Sequence, residues 1–189
     1  WPGYFKNELH IGYVTNGVHF PTWVASNLRR RYAKYFGNAF GGHTYNIPEW
    51  QNVHKIDDKE LWAERMLLKE RLIKTIRKRF SDPTQVRLQS PRQMVQITES
   101  IKPDVLTIGF ARRFATYKRA HLLFTDLDRL AKLLNNPERP IQFLFAGKAH
   151  PHDGAGQGLI KKIIEVSRRP EFVGKIIFLE NYDMDLAKL

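Results

Sequence analysis

The pattern of apolar and polar positions changes character near residue 103. From there on, short apolar runs alternate with segments of helical period. "VLTIGF" (105–110), "IQFLFAG" (141–147) and "KIIFLEN" (175–181) are continuous runs rich in strand formers. Between them, "TYKRAHLLFTDLDRLAKLLNN" (116–136) reads as an amphipathic helix and "GLIKKIIEVSRR" (158–169) as a second. "DMDLAKL" opens a third. Strand, helix, strand, helix, strand is the order of a parallel sheet with covering helices. Strands apolar at successive positions fit burial on both faces. The expected fold class is therefore α/β, with residues 103–189 forming a βαβαβ unit, half of a doubly wound domain.

Residues 1–102 read differently, as a loop-rich and helical segment leading into that domain. Residues 1–21 are rich in Gly, Pro, Asn and aromatics, with one short extended piece at Ile11–Val14. "TWVASNLRRRYAKYFG" is helical, with Thr22 as a cap and Gly37 as a stop. Residues 38–56 form a polar connector. "DDKELWAERMLLKERLIKTIRKRF" carries the strongest helix signal. Asp57 and Glu60 have capping-box spacing, and Leu61, Met66 or Leu67, Leu68, Leu72, Ile73 and Ile76 form its apolar face. "SPRQMVQITESI" predicts a short helix with Ser90 as cap and Pro91 at its first position.

The 189 residues suit one globular domain or a large part of one. No window approaches the apolar length of a membrane span, and no N-terminal stretch has signal-peptide layout. The opening Trp1-Pro2-Gly3 and the close at Leu189, inside a helical pattern, suggest a fragment of something longer. The chain has no cysteine, which removes disulfides, Cys-based zinc sites and thiol catalysis. The net charge of +12 raises nucleic-acid binding as an idea. The excess is dispersed, however, and Arg29-Arg30-Arg31 and Arg77-Lys78-Arg79 lie on helices as solvated faces.

Candidate chemistry gathers at the strand ends, because ligands of open parallel sheets bind beyond the carboxyl ends of the strands. That rim would hold Arg112, Arg113, Lys118, Lys148, His150, Glu180 and Tyr182. Cations at a strand exit and a helix start suit an oxyanion: arginine offers a planar fork, lysine a point charge, and the helix N-terminus a dipole. "GAGQG" (154–158) lacks the dinucleotide-binding spacing and reads as a flexible turn. "HPHD" (150–153) is a weak metal pattern, and no metal site is expected; His150 reads as a hydrogen-bonding residue. In "VTNGVHFPTW" (14–23), Asn16 and Trp23 are either a turn and a core residue or lie near a ligand.

Three collinear blocks carry a resemblance. "TNGVHFPTW" looks like Thr-Asn-Gly-[Ile/Val]-Thr-Pro-Arg-Arg-Trp, and "ARRFATYKRA" like Lys-Arg-x-x-x-Tyr-Lys-Arg. "FAGKAHP" with "IIFLENYDMDLAKL" looks like Gly-Gly-Lys-Ala-x-Pro and Phe-Leu-Glu-Asn-Tyr-x-x-x-Leu-Ala. The chain resembles the glycogen/α-glucan (maltodextrin) phosphorylase family, in its shorter bacterial and archaeal branch. The resemblance implies part of the C-terminal Rossmann-like domain of a two-domain glycosyltransferase (GT-B) fold. It implies an enzyme in which phosphate cleaves terminal α-1,4-glucosidic bonds to give glucose 1-phosphate, with pyridoxal 5'-phosphate as cofactor. By position, Arg113 and Lys118 would hold the substrate phosphate, Arg112 would lie near the cofactor phosphate, and Asn16 would bind the glucosyl unit. Trp23 and Tyr182 would pack around the cofactor. The implied partners are α-1,4-glucan and inorganic phosphate, without nucleic acid or membrane, in a cytoplasmic enzyme whose full-length form can be a homo-oligomer.

This sequence departs from the family pattern at Pro21-Thr22, where the family has Arg-Arg. It departs again at Asp183, where an arginine often helps grip the cofactor phosphate. An acid there would repel a phosphate unless Arg112 compensates or the loop differs. The Schiff-base lysine belongs to a block absent from this chain, so the isolated chain is expected to be inactive. Two alternatives stand beside this reading. One is part of a nucleotide-sugar-dependent glucan synthase-type glycosyltransferase, which also uses an Arg-x-x-x-x-Lys pair. The other is a basic, non-enzymatic binding module.

Overall fold

All three apolar runs become strands: β1 (Leu106–Ala111), β2 (Ile141–Ala146) and β3 (Ile176–Leu179). In this computed structural model, which describes residues 2–8, 12–37, 48–82, 84 and 86–189, they form one parallel sheet in the order β1-β2-β3. Leu106 pairs with Ile141 and Ala111 with Ala146, while Phe143 pairs with Ile176 and Ala146 with Leu179. The helices are α1 (Phe20–Trp23), α2 (Ser26–Phe36), α3 (Asp58–Phe80), α4 (Pro91–Ser100), α5 (Leu127–Leu134), α6 (Gly154–Ser167) and α7 (Met184–Ala187).

The period of two along the strands sorts side chains into two cores. Leu144, Ala146, Ile177 and Leu179 face Ile73, Ile76 and Phe80 of α3, Met94 and Ile97 of α4, and Leu186 of α7. Phe145, Ile176 and Phe178 face the other way, onto Leu130 and Leu134 of α5 and Ile163, Ile164 and Val166 of α6. The expected burial of strands on both faces therefore holds for β3 and most of β2. It fails for β1, where Leu106 and Ile108 keep 58% and 40% of their surface. β1 is an edge of this sheet, paired on one side by β2.

Polar groups tie the layers together. Gln142, almost fully buried in β2, donates from its side-chain amide to the Lys102 carbonyl at 2.8 Å and to the Thr107 hydroxyl at 2.7 Å. Arg77 donates to the Ile101 carbonyl at 2.7 Å and the Thr98 carbonyl at 3.2 Å, covering the carboxyl end of α4. Arg79 donates to the Glu180 carbonyl at 3.2 Å. The cluster Arg77-Lys78-Arg79 is thus not the solvated face that its position suggested, because two of its guanidinium groups complete backbone carbonyls.

Local signals explain the helix ends. Asp57 accepts from the amides of Lys59 and Glu60, and Ser90 forms a reciprocal capping box with Gln93. The buried apolar residues of α3 lie in its second half; Leu61, Trp62 and Leu67 are exposed. The segment from Thr22 to Gly37 is two helices rather than one, since Val24 and Ala25 take extended backbone. Thr22 is not a cap there: its hydroxyl contacts His19 Nδ1 at 2.7 Å. Gly37 ends α2 at φ 75°, as a left-handed stop requires.

Residues 1–55 and 56–189 are two compact units. In the first, Phe20, Tyr32, Phe36 and Trp50 form an aromatic cluster with centroids 5.3–6.2 Å apart. Of the extended piece expected at 11–14, Ile11 lies outside the described residues and 12–14 are irregular. The connector at 38–47 lies outside them as well, and Pro48–Lys55 is a 3₁₀ helix. The second unit contains α3 and α4 together with the sheet, so these helices share a core with the βαβαβ unit.

Candidate functional site

The segment after β1 is not the start of a helix. Thr116–Lys118 and Ala120–Phe124 are two 3₁₀ turns, separated by Arg119 in the left-handed region at φ 57°. The α-helix begins only at Leu127, where Asp126 accepts from the Arg129 amide at 2.9 Å. The long helix expected over 116–136 therefore breaks at a residue whose backbone a helix cannot use. The helix dipole expected beside Lys118 is absent. What remains at the β1 exit is a cluster of side-chain cations.

Those cations stand on a rigid base. Beyond β1 the pairing with the β2 exit continues: the Arg112 amide donates to the Ala146 carbonyl at 3.1 Å, and the Phe114 amide to the Lys148 carbonyl at 2.9 Å. Phe114 also bridges to Ala149 and is fully buried, with the rings of Phe110 and Phe178 at 5.5 and 6.0 Å. Gly147 permits the approach. It has φ 148°, and a Cβ there would lie on the Arg112 carbonyl oxygen. One apolar anchor between exposed neighbours directs Arg112 and Arg113 outward at the carboxyl edge of the sheet.

Arg112, Arg113, Arg119 and Lys148 are exposed and Lys118 is half-buried. Among the described residues, no hydrogen bond or ion pair holds the side chains of Arg112, Arg119 or Lys148. Arg113 and Lys118 share one neighbour, Tyr117. The Lys118 ammonium lies over the Tyr117 ring, 4.7 Å from its centroid. Lys118, as a nearby donor and then through its charge, holds the Tyr117 phenol below the usual tyrosine range; Arg113 acts in the same direction. Tyr117 thus lies near both cations, which are five positions apart in sequence.

The other strand exits are engaged differently. The Glu180 carboxylate accepts from the amides of Arg87 and Leu88 at 3.0 and 2.8 Å, so it organises the loop before α4. Asp183 caps α7 through the Leu186 amide at 2.8 Å and pairs with Arg79 at 3.4 Å. The Leu186 hydrogen bond chiefly, with Arg79, holds its carboxyl below the usual range. Tyr182 is half-buried and packs against the core that lies between the sheet, α3 and α4. His150 accepts the His152 amide at Nδ1 over 3.1 Å, a local turn contact.

Asn16 is exposed and Trp23 is 44% exposed; both belong to the first unit, whereas Arg112, Arg113, Lys118 and Tyr182 belong to the second. The structure thus gathers the three cations at one strand exit, with Tyr182 following β3. The sequence reading did not single out Tyr117, Phe114 or Gly147 as site-forming residues. A glycine directly after an apolar run was the one signal available for Gly147.

No family model matches the chain. Relatives do. The chain is 45% identical, over 99% of its length, to the glycogen phosphorylase of Aquifex aeolicus, and 41% identical over all of its length to the maltodextrin phosphorylase of Thermococcus litoralis. Its sequence matches a segment of the phosphorylases. A glycogen phosphorylase of Mycobacterium tuberculosis is 40% identical over the whole chain. The chain spans 22–27% of the length of these phosphorylases.

Proposed function

We propose that this chain supplies the phosphate-handling part of an α-glucan phosphorylase, which cleaves terminal α-1,4-glucosidic bonds with inorganic phosphate and releases glucose 1-phosphate. The observation that carries the reading is the β1 exit, where several cations without acidic partners stand on a buried anchor in a chain 45% identical to a glycogen phosphorylase. Several cations crowded at one strand exit, with no acid paired to them, suit an anionic ligand.

In this mechanism Arg113 and Lys118 bind the substrate phosphate. The Arg113 fork orients two oxygens, and Lys118 adds charge. A phosphate oxygen bonds to the anomeric carbon as the glucosidic bond breaks, and the proton of the attacking hydrogen phosphate passes to the departing sugar oxygen. Fixed cations lower the energy of charge that develops on the phosphate in the transition state. Asn16 would bind the glucosyl unit.

The donor set also fits the phosphate end of pyridoxal 5'-phosphate. The side chain of Arg112 is an exposed guanidinium with no protein partner among the described residues, and Tyr182 would pack beside the group. When bound, pyridoxal phosphate supplies its own phosphate as proton donor and acceptor opposite the substrate. Asp183 stays ionised, but Arg79 at 3.4 Å offsets part of its charge and the Leu186 amide engages its carboxylate. The covalent lysine is not assigned in this chain, and the 189 residues alone are expected to release no glucose 1-phosphate. The complete enzyme would work on soluble glucan in the cytoplasm.

The test is phosphorolysis of maltodextrin by a full-length phosphorylase that contains this segment. Arg113→Ala and Lys118→Ala should each lower kcat/KM by about a hundredfold or more, as loss of a charge-stabilising donor does. Near-normal turnover in both would overturn the assignment.

A further inference from the structure

The glycines of "GAGQG" do not form the flexible turn their composition suggested. Gly154, Gly156 and Gly158 lie in the first turns of α6, whose cap is Asp153. Three glycines at a helix start are costly, since each disfavours the helix relative to alanine. The structure separates them sharply. A Cβ on Gly154 or Gly158 would meet nothing within 4 Å. A Cβ on Gly156 would lie 2.6 Å from the Phe114 carbonyl oxygen and 2.7 Å from an Asp153 carboxylate oxygen, closer than real Cβ contacts come. Gly156 is also the buried one of the three.

We infer that Gly156 is a positioning residue for the phosphate site: by lacking a side chain, it lets the first turn of α6 close onto the Phe114 carbonyl and so sets the direction of Arg113. This rests on the reading that Arg113 binds phosphate. The geometry is a three-sided clamp. From below, the Phe114 ring is locked in the core among Phe110 and Phe178. From β2, the Lys148 carbonyl accepts the Phe114 amide at 2.9 Å, an approach that Gly147 permits. From α6, Gly156 meets the Phe114 carbonyl, while the Gly156 amide is held by Asp153 at 2.8 Å. The peptide before Phe114 is held by a hydrogen bond and the one after it is flanked closely by α6, and Arg113 is the residue immediately before them. A side chain at 156 meets one backbone atom, the Phe114 carbonyl oxygen, and one side-chain group, the Asp153 carboxylate that caps α6, and must push at least one of them. Displacing the Phe114 carbonyl rotates the chain that carries Arg113, whereas Lys118, beyond Ala115 and in its own 3₁₀ turn, is less affected.

The test titrates inorganic phosphate into the 189-residue chain, following backbone amide shifts of Arg113 and Lys118 together with the thermal midpoint. Gly154→Ala and Gly158→Ala should bind phosphate like the parent and melt no lower. Gly156→Ala should bind about tenfold more weakly, as a misplaced binding group does, with the phosphate-induced shift at Arg113 reduced more than that at Lys118. Phe114→Leu keeps an apolar anchor but loosens it, and should weaken phosphate binding in the same selective way if Gly156→Ala does not fold. Parent-like affinity in a folded Gly156→Ala chain, or in Phe114→Leu where the glycine variant is unfolded, would overturn the inference. Arg113→Ala separates the two ideas. If it binds phosphate as well as the parent, the reading of Arg113 fails; if it loses binding while Gly156→Ala keeps it, only the role of Gly156 fails.

Discussion

The exits of β1 and β3 lie at the same edge of one sheet, and both carry charged residues, yet their charges have opposite fates. After β3, Glu180 and Asp183 are bound by backbone amides and by Arg79. After β1, the side chains of Arg112 and Arg119, with that of Lys148 from the adjoining β2 exit, bind no protein group among the described residues, and those of Arg113 and Lys118 meet only Tyr117. A charge satisfied within the fold contributes to stability. A cluster of like charges left unsatisfied works against it through mutual repulsion, and is retained where a ligand completes it. The acids after β3 are therefore structural, and the cations after β1 are where we propose that a ligand binds.

Variants can break this comparison, beginning with the anchor beneath the cations. Phe114→Ala removes a fully buried ring and should cost about 3–5 kcal/mol in urea unfolding. The two exits should then separate. Arg113→Ala and Lys118→Ala should weaken phosphate binding by roughly tenfold each, with unfolding free energy within about 0.5 kcal/mol of the parent. Glu180→Ala should do the reverse: it strands the Arg87 and Leu88 amides and should cost about 1–3 kcal/mol, leaving phosphate affinity unchanged. A phosphate defect in Glu180→Ala would erase the distinction.

Smaller effects sharpen it. Asp183→Ala removes the cap of α7 and should cost about 1 kcal/mol. Because the folded Asp183 carboxyl titrates below its unfolded value, its contribution is present above the unfolded pKa and is lost as pH falls through the folded one. The acid limb of the stability profile should flatten in Asp183→Ala. At the other exit the sign concerns binding. Lys118, as a nearby donor and a charge, and Arg113 favour the Tyr117 phenolate, which competes with phosphate for them. Phosphate affinity should fall with rising pH below the usual tyrosine range, and Tyr117→Phe should remove that limb.

Much of the frame was legible because it depends on local pattern. Three continuous apolar runs became β1, β2 and β3, and the caps at Asp57 and Ser90 formed from residues within three positions of each other. Gly37 ended its helix for the same local reason. The misreadings occur where distant contacts override local preference. The 116–136 segment has helical period, yet the Phe114 anchor and the left-handed Arg119 turn it into two 3₁₀ turns before α5. The glycines at 154–158 have a loop's composition, yet they begin a helix under Asp153.

The sequence by itself determined the α/β order, the presence of Arg112, Arg113 and Lys118 after an apolar run, and the phosphorylase resemblance. Each needs only residue type and spacing along the chain. Tertiary structure alone decided which charges are already satisfied: Arg77 and Arg79 are held by backbone carbonyls, and Glu180 and Asp183 by amides that arise up to 93 residues away. It also decided that Gly147 and Gly156 clamp Phe114 while Gly154 and Gly158 touch nothing. The physical reason is that hydrogen-bond satisfaction and close approach are properties of neighbours in space, which an amino-acid sequence does not rank.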